Sequence, residues 1–396
     1  MMATFSRLWN YERPKHFFVV DVGSNTTIRS LRFSKQHDTY TAISKSSFDL
    51  PNREDELDLI RPISEYLRRL LFRYVKEIGR VPQTTLIGLG SHFTFNEITT
   101  ARRTRPRPSE PLRRDEFYEL LRDFVEQERS PRGKGTPYVP AEVMPFRVTL
   151  DGYHIPAISR STRGSVLEVT LLATYALAAY WEELIKLRSM LGGLNIHFIP
   201  NQAAIARAVV HVLKVRDALA VKIGAKITEV SLMSDGVLRS TGHFGRGGDQ
   251  FTAAIHERLR IPWADAERMK QQFGTTLLPA GTGEVVRETL TTATGEWLAE
   301  LSSYLKRDER FLLPERIYLL GGGARLGMVT EALAGQQWFG DLTFLETLIV
   351  ERLDGEGIAR SIFSNSNPPL EGPEDVALAA LASYARDAAV AEMPRL

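Results

Sequence analysis

"VVDVGSNTTIRSLRF", residues 19–33, sends an apolar strand into an Asp, a Gly and a row of small hydroxyl or amide side chains before a second strand begins. Small residues in such a turn let backbone N–H groups approach an anion, and hydroxyls add further donors. Asp21, Gly23, Ser24, Asn25, Thr26 and Thr27 therefore read as half of a polyphosphate grip, with Asp21 at the strand end able to orient Mg²⁺ through water. The same residues suit a plain tight hairpin, because they are ordinary turn formers. A second half elsewhere in the chain separates the two readings.

A long-range echo offers that half. "AVKIGAKITEVSLMSDGVLRS", residues 220–240, repeats strand, Gly turn and strand, with Gly224, Ala225 and Thr228 at the turn. Lys222 stands where an acidic residue is expected, and Lys226 where a Gly would fit better. An ammonium at Lys222 either neutralises phosphate directly or fills the site, and both readings stay open. Glu229, the nearest carboxylate, is expected to turn away from the site by strand alternation. A third cluster, "LLGGGARL", puts Gly321, Gly322 and Gly323 after an apolar strand, where a planar base can lie on bare backbone or the chain simply turns into a helix. Glu267 and Lys270, three apart, share a helical face and either reach ribose hydroxyls together or form a surface ion pair.

Composition narrows the class. With 396 residues, 43% hydrophobic and 25% charged, the chain is long enough for two to four domains of ordinary globular kind. A formal charge of +2 gives no overall field toward nucleic acid or anionic lipid. The absence of cysteine excludes disulfides, thiolate nucleophiles and cysteine-held metals, and makes the cytoplasm the expected compartment. No stretch reaches the roughly 18 apolar residues of a membrane span, and residues 1–15 lack the apolar core of a secretory signal.

Residues 17–49 read as a β-meander, and Ile60 to Ile78 as a helix with Gly79 at its C′ position. From Ala101 to Arg114 six Arg and three Pro crowd fourteen residues, which reads as a solvated loop. It has no interleaved aromatics for base stacking, so nucleic acid is not an expected partner; a protein or lipid contact suits it better. Residues 92–173 look like a small α+β insertion, and a helix is expected from Tyr175 to Leu191.

Taken together, the three Gly turns resemble the actin-like nucleotide-binding superfamily, with Asp21–Thr27 similar to its first phosphate motif, Lys222–Thr228 to its second and Gly321–Leu326 to its adenosine motif. Pro200–Ala204 and Asp375–Ala380 resemble its two connecting helices. Within it, "GLGSHFTFNEITT", "VMPFRVTLDGY" and "GSVLEVTLLAT" look like the insertion of the cell division protein FtsA, and the pilus-assembly protein PilM is a similar relative. The resemblance implies an α/β, actin-like (ribonuclease H-like) two-lobe fold. It divides the chain into a first lobe (1–91 and 174–215), an insertion subdomain (92–173), a second lobe (216–248 and 311–370) with a helical subdomain (249–310), and a returning C-terminal helix (371–396).

It further implies a scaffold of the division apparatus that binds ATP, with Mg²⁺ as candidate metal at Asp21. ATP would be held by Asp21, Gly23, Ser24, Asn25, Thr26, Lys222, Gly224, Ala225, Thr228, Glu267, Lys270, Gly321, Gly322 and Gly323. Hydrolysis is expected to be weak or lost because Lys222 and Lys226 depart from the motif. Self-assembly into filaments or oligomers, and a division or pilus protein, are the expected partners. A weak membrane contact through Met1–Trp9 would make the protein peripheral at the inner face of the cell membrane. The alternatives are a PilM-like pilus assembly role and an exopolyphosphatase-type phosphohydrolase, whose first phosphate motif "DVGSNTT" also resembles.

Overall fold

From Phe17 to Val22 every side chain except Asp21 is apolar, and in the computed structural model all six are buried. The strand they form is therefore central and covered on both faces. The structure describes residues 15–388 apart from positions 24–25, 51–55, 80–81, 83, 128–136, 156–161, 192–194, 274–279, 308–311, 336–337, 339, 341, 345 and 366. The expected membrane contact at Met1–Trp9 and the site residues Ser24 and Asn25 thus lie outside the described residues.

β1 (Lys15–Val22), β2 (Thr27–Gln36) and β3 (Thr39–Asp49) form the antiparallel meander that the alternation predicts. α1 (Ile60–Ile78) follows and stops at Gly79, whose φ of 65° and N–H bond to Val75 O make the left-handed cap. β4 (Thr84–Leu89) returns parallel to β1.

The chain then leaves this sheet. β5 (Thr94–Thr104), α2 (Arg114–Gln127), β6 (Tyr138–Leu150), β7 (Tyr153–His154) and β8 (Val166–Leu177) build a separate antiparallel sheet, ordered β5-β8-β6-β7, around Leu120, Leu121, Leu167, Val169 and Leu171. α3 (Ala178–Met190), β9 (Ile196–Pro200) and α4 (Asn201–His211) lead back, and β9 completes the first sheet in the order β3-β2-β1-β4-β9. The helix expected from Tyr175 starts at Ala178 because β8 stays paired to β5 and β6 through Ala176.

A second sheet repeats the first. β10 (Ala218–Ile223), β11 (Thr228–Ser234) and β12 (Val237–Phe244) form a meander, the last two joined by Asp235 and Gly236 at φ 57° and 74°. Positive φ at both turn residues matches the twist of a two-residue hairpin. α5 (Gly248–Leu259), α6 (Trp263–Gln272) and α7 (Ala280–Lys306) make a helical block before β13 (Arg316–Leu320), α8 (Gly327–Ala334) and β14 (Ile349–Arg352), giving the order β12-β11-β10-β13-β14. Each sheet is three antiparallel strands followed by two parallel ones. The correspondence extends to a register shift in each meander, at Arg32/Phe33 and at Leu232/Met233.

α9 (Gly355–Ala359) and α10 (Val376–Ala388) close the chain. Val376 to Ala382 are each at most 2% exposed, and their small side chains let α10 pack on α4 and β1. One core holds Val19 and Leu31 of the first sheet together with Ala218 and Ala220 of the second. Packing the sheets through this layer brings Gly23, just after β1, within hydrogen-bond reach of Lys222 in β10.

The arginine-rich run is a solvated loop from 106 to 110, as its composition suggests, but its first part is strand and its arginines are not left unopposed. β5 continues to Thr104, and five of the six arginines are ion-paired: Arg102 to Glu168, Arg103 to Glu119 and Asp123, Arg105 to Glu116, Arg107 to Glu110 and Arg113 to Asp115. Apart from Glu110 within the run, the opposing acids come from α2 and β8, outside the fourteen residues. Among the described residues no helix is long and apolar enough to cross a membrane.

Candidate functional site

Asp21 ends the polar side of β1 and is 3% exposed. Its Oδ1 accepts hydrogen bonds from Gly23 N at 2.7 Å and from Asn201 Nδ2 at 2.6 Å, tying the first turn to the start of α4. Gly23 is confined: a Cβ there would lie 2.2 Å from Asn201 Nδ2 and 2.8 Å from Lys222 Nζ. Directly opposite Asp21 in the β1–β2 ladder stands Arg29, so both side chains project from the same face.

Across the cleft Lys222 and Glu229 are register partners in the β10–β11 hairpin and likewise share one face. Lys222 Nζ donates to Glu229 Oε2 at 2.7 Å and, across the cleft, to Gly23 O at 3.3 Å. Glu229 Oε1 accepts from Ser91 N at 3.1 Å and Ser91 Oγ at 2.6 Å. Lys222, Glu229 and Ser91 are all buried. Burial pushes Lys222 toward the neutral amine, but the Glu229 and Asp21 carboxylates outweigh it and hold the ammonium above the usual lysine value. Burial pushes Glu229 upward, and Lys222 with the two Ser91 donors pulls it below the usual glutamate value. Arg29, the cross-strand partner of Asp21, adds a second cation on the same face.

Two expectations about this hairpin are reversed together. Thr228 is fully buried, donating its hydroxyl to Arg246 O at 2.6 Å and accepting Trp297 Nε1 at 2.9 Å, so it braces the second lobe. Strand alternation then turns its neighbour Glu229 toward the cleft and not away from it.

The remaining sequence-derived residues fall into two groups. Gly224 N donates to Ile227 O at 2.9 Å, while Gly224 O and Ala225 O accept from Gly248 N and Asp249 N at 2.8 Å each. The second turn is thereby seated on the first residues of α5. Glu267 and Lys270 do share a helical face, but they bind each other at 2.7 Å, and Lys270 Nζ donates to Gly248 O and Thr252 Oγ1 at 3.0 and 2.8 Å. Their ion pair fastens α6 to α5 beside the turn.

In the third turn Gly321 has φ 84° and donates its N–H to Pro373 O at 2.8 Å. A Cβ at Gly321 would sit 2.5 Å from Ile223 O, and one at Gly323 2.2 Å from Ile223 Cγ2, whereas one at Gly322 meets nothing within 4 Å. Gly321 and Gly323 are thus demanded by packing against β10, and only Gly322 leaves open space. Asp21, Gly23, Lys222, Gly224 and Gly321–Gly323 come together around one cleft, since Ile223 touches the third turn while Lys222 bonds the first.

A divalent cation does not fit this donor set. Asp21 Oδ1 is already bonded to two donors, the Lys222 ammonium faces the same carboxylate, and among the described residues no three His, Cys, Asp or Glu side chains converge. The charges here balance, Lys222 and Arg29 standing with Glu229 and Asp21, and Gly322 leaves a bare backbone surface. Sequence reading missed Arg29, Ser91, Asn201 and the true facing of Glu229. Arg29 and Asn201 left a signal, one as the cross-strand partner of Asp21 and one opening a connecting helix; Ser91 left none.

Residues 219–340, from β10 of the second sheet to just past α8, match the family model of the cell division protein FtsA. No curated protein sequence matches the chain. Among solved structures, the PilM–PilN type IV pilus biogenesis complex is similar with a TM-score of 0.62 at 17% identity, over 93% of this chain and 97% of that one. The ethanolamine utilization protein EutJ from Carboxydothermus hydrogenoformans aligns with a TM-score of 0.49 at 14% identity, over 94% of this chain and 91% of that one. MreB5 of Spiroplasma citri bound to ADP aligns at 0.46 and 9%, over 96% and 99%. The duplicated sheets and the likeness to the PilM–PilN structure over 93% of this chain give the actin-like fold that the motifs imply.

Proposed function

We propose that this actin-like protein, whose second lobe matches the FtsA family, is a scaffold of the cell-division type that works by holding a defined angle between its lobes and presenting surfaces for self-assembly and for a partner protein. ATP is the ligand proposed for the cleft, with Lys222 and Arg29 neutralising its phosphates and the open side of Gly322 against its base. Hydrolysis is lost. The observation that carries this reading is the bond of Lys222 to both Gly23 O and Glu229, because it puts an ammonium where metal-assisted attack would need a free carboxylate.

The phosphohydrolase alternative needs a carboxylate to position water, and two acids face the cleft: Asp21, whose Oδ1 is held by Gly23 N and Asn201 Nδ2, and Glu229. Both oxygens of Glu229 are already engaged, by Lys222 and by Ser91. The pilus-type alternative keeps the same chemistry and changes only the partner; the likeness to the PilM–PilN complex along 93% of this chain supports it.

ATP affinity measured by calorimetry with Mg²⁺ and with EDTA, for the natural chain and for Lys222→Asp, tests the proposal. The expected result is equal affinity with and without metal for the natural chain, metal-dependent affinity for Lys222→Asp, and no phosphate release from the natural chain. Absence of ATP binding in the natural chain under both conditions would refute the nucleotide part, and steady phosphate release would refute the loss of hydrolysis. Sedimentation with and without ATP reads self-assembly.

A further inference from the structure

The hydrogen bonds that cross the cleft are made by protein atoms on both sides. Lys222 and Glu229 belong to the second lobe, and they reach Gly23 of the first turn and Ser91 in the turn between β4 and β5. Each donor and acceptor in the set is used in the way its charge favours: Glu229 Oε2 takes the ammonium, Oε1 takes both Ser91 donors, and Gly23 offers a carbonyl. With Lys222, Glu229 and Ser91 only 8%, 3% and 4% exposed, water competes little for these bonds.

Ser91 also lies at the foot of the insertion. Three residues on, Thr94 begins β5 and donates its hydroxyl to Gly90 O at 2.8 Å. A Cβ at Gly90 would come within 2.4 Å of Gly23 Cα, so this turn is pressed against the first phosphate-type turn with no room for a side chain. A second set of bonds runs parallel to the first. Thr174 of β8 donates to Asn96 Oδ1 at 2.7 Å, Asn96 Nδ2 to Gln202 Oε1 at 2.5 Å, and Gln202 Nε2 to Gly242 O at 3.1 Å on β12. Insertion, first lobe and second lobe are therefore bonded to one another at two places, both beside the cleft.

We propose that Lys222, Glu229 and Ser91 form a latch that holds the two lobes closed without nucleotide or metal and fixes the insertion subdomain to that closed arrangement. The lysine takes the place of a bridging cation, and the glutamate converts one side-chain charge into a joint between the second lobe and the foot of the insertion.

The chain has no cysteine, so pairs of spin labels can be placed without removing native thiols. Thr39→Cys with Glu331→Cys spans the lobes from exposed positions, and Tyr153→Cys with Glu331→Cys spans the insertion and the second lobe. Pulsed electron–electron distance measurements in EDTA without nucleotide are expected to give one narrow distribution for each pair. Lys222→Met combined with Glu229→Leu, which removes both buried charges together, should broaden both distributions and shift them to longer distance, with circular dichroism unchanged. Ser91→Ala should broaden the Tyr153 pair more than the Thr39 pair. Broad distributions in the parent without ligand would overturn the latch, as would narrow, parent-like distributions in the folded double variant. Loosening of the lobes with an unchanged Tyr153 pair would overturn the tie to the insertion.

Discussion

Replacing Lys222 by Met alone asks how much the buried pair contributes. Methionine keeps the volume of the stem and removes the ammonium, so Glu229 stays in a site that is 3% exposed with only the two Ser91 donors. Removing one partner of a buried pair costs about 3–5 kcal/mol. Lys222→Met with Glu229→Leu removes the pair together and leaves Asp21 still bonded to Gly23 N and Asn201 Nδ2, so its loss should be smaller, nearer ~1–2 kcal/mol, set by the unmatched Ser91 groups. The double variant is thus expected to be more stable than the single one.

The pH dependence follows from the directions of the two shifts. Glu229 is held below its ordinary value, so its stabilisation is present above an unfolded value near ~4.3 and disappears as pH falls through the folded one. Lys222 is held above its ordinary value, so its share is complete below an unfolded value near ~10.4 and disappears as pH rises through the folded one. Between roughly pH 5 and 10 the parent pair contributes a constant amount. In Lys222→Met burial acts on Glu229 without the ammonium to oppose it, and the folded state retains a proton that the unfolded chain releases near ~4.3. The stability of this variant should therefore fall as pH rises from about 4.3 toward neutrality, a slope the parent pair lacks. Urea unfolding followed by tryptophan emission reads this directly, because Trp297 is fully buried and bonded to Thr228 in the same hairpin. A single variant within about 0.5 kcal/mol of the parent at pH 7, the range of ordinary surface changes, would refute the pairing.

Two further outcomes concern other parts of the fold. Arg105 is 3% exposed, binds both oxygens of Glu116 at 2.8 and 2.9 Å and donates to the carbonyls of Gly164, Glu110 and Pro111, so Arg105→Met should destabilise the insertion by about 3–5 kcal/mol. Hydrogen exchange should rise across residues 94–177 and stay low in β10–β12; uniform loss of protection would contradict an insertion with its own core. Gly323→Ala would force a methyl to within 2.2 Å of Ile223 Cγ2, so it should lower the melting temperature by several degrees, whereas Gly322→Ala should leave it within a degree or two. Equal effects of the two substitutions would show that the third turn is not packed on β10.

Much of the architecture was legible because it is written in short-range patterns. The Gly79 cap, the two meanders, the Asp235-Gly236 hairpin and the buried "VVDV" strand each depend on residues a few positions apart. The repetition of strand, Gly turn and strand at 17–33 and 219–232 also marked the two halves before their sheets were seen to share one topology.

The contents of the cleft were legible only in part. Sequence alone determined that Lys222 replaces an acid and that Asp21 and the glycines stand at turns. Tertiary structure decided that Thr228 faces the core and Glu229 the cleft, that Ser91, more than a hundred residues away, completes the glutamate's hydrogen bonds, and that the arginine run is neutralised by acids on α2 and β8. The physical reason is that a charge is defined by what surrounds it. Periodicity sets which way neighbouring side chains point relative to one another, but the partners of a buried ion arrive from distant segments, and only packing of the lobes brings them within hydrogen-bond reach.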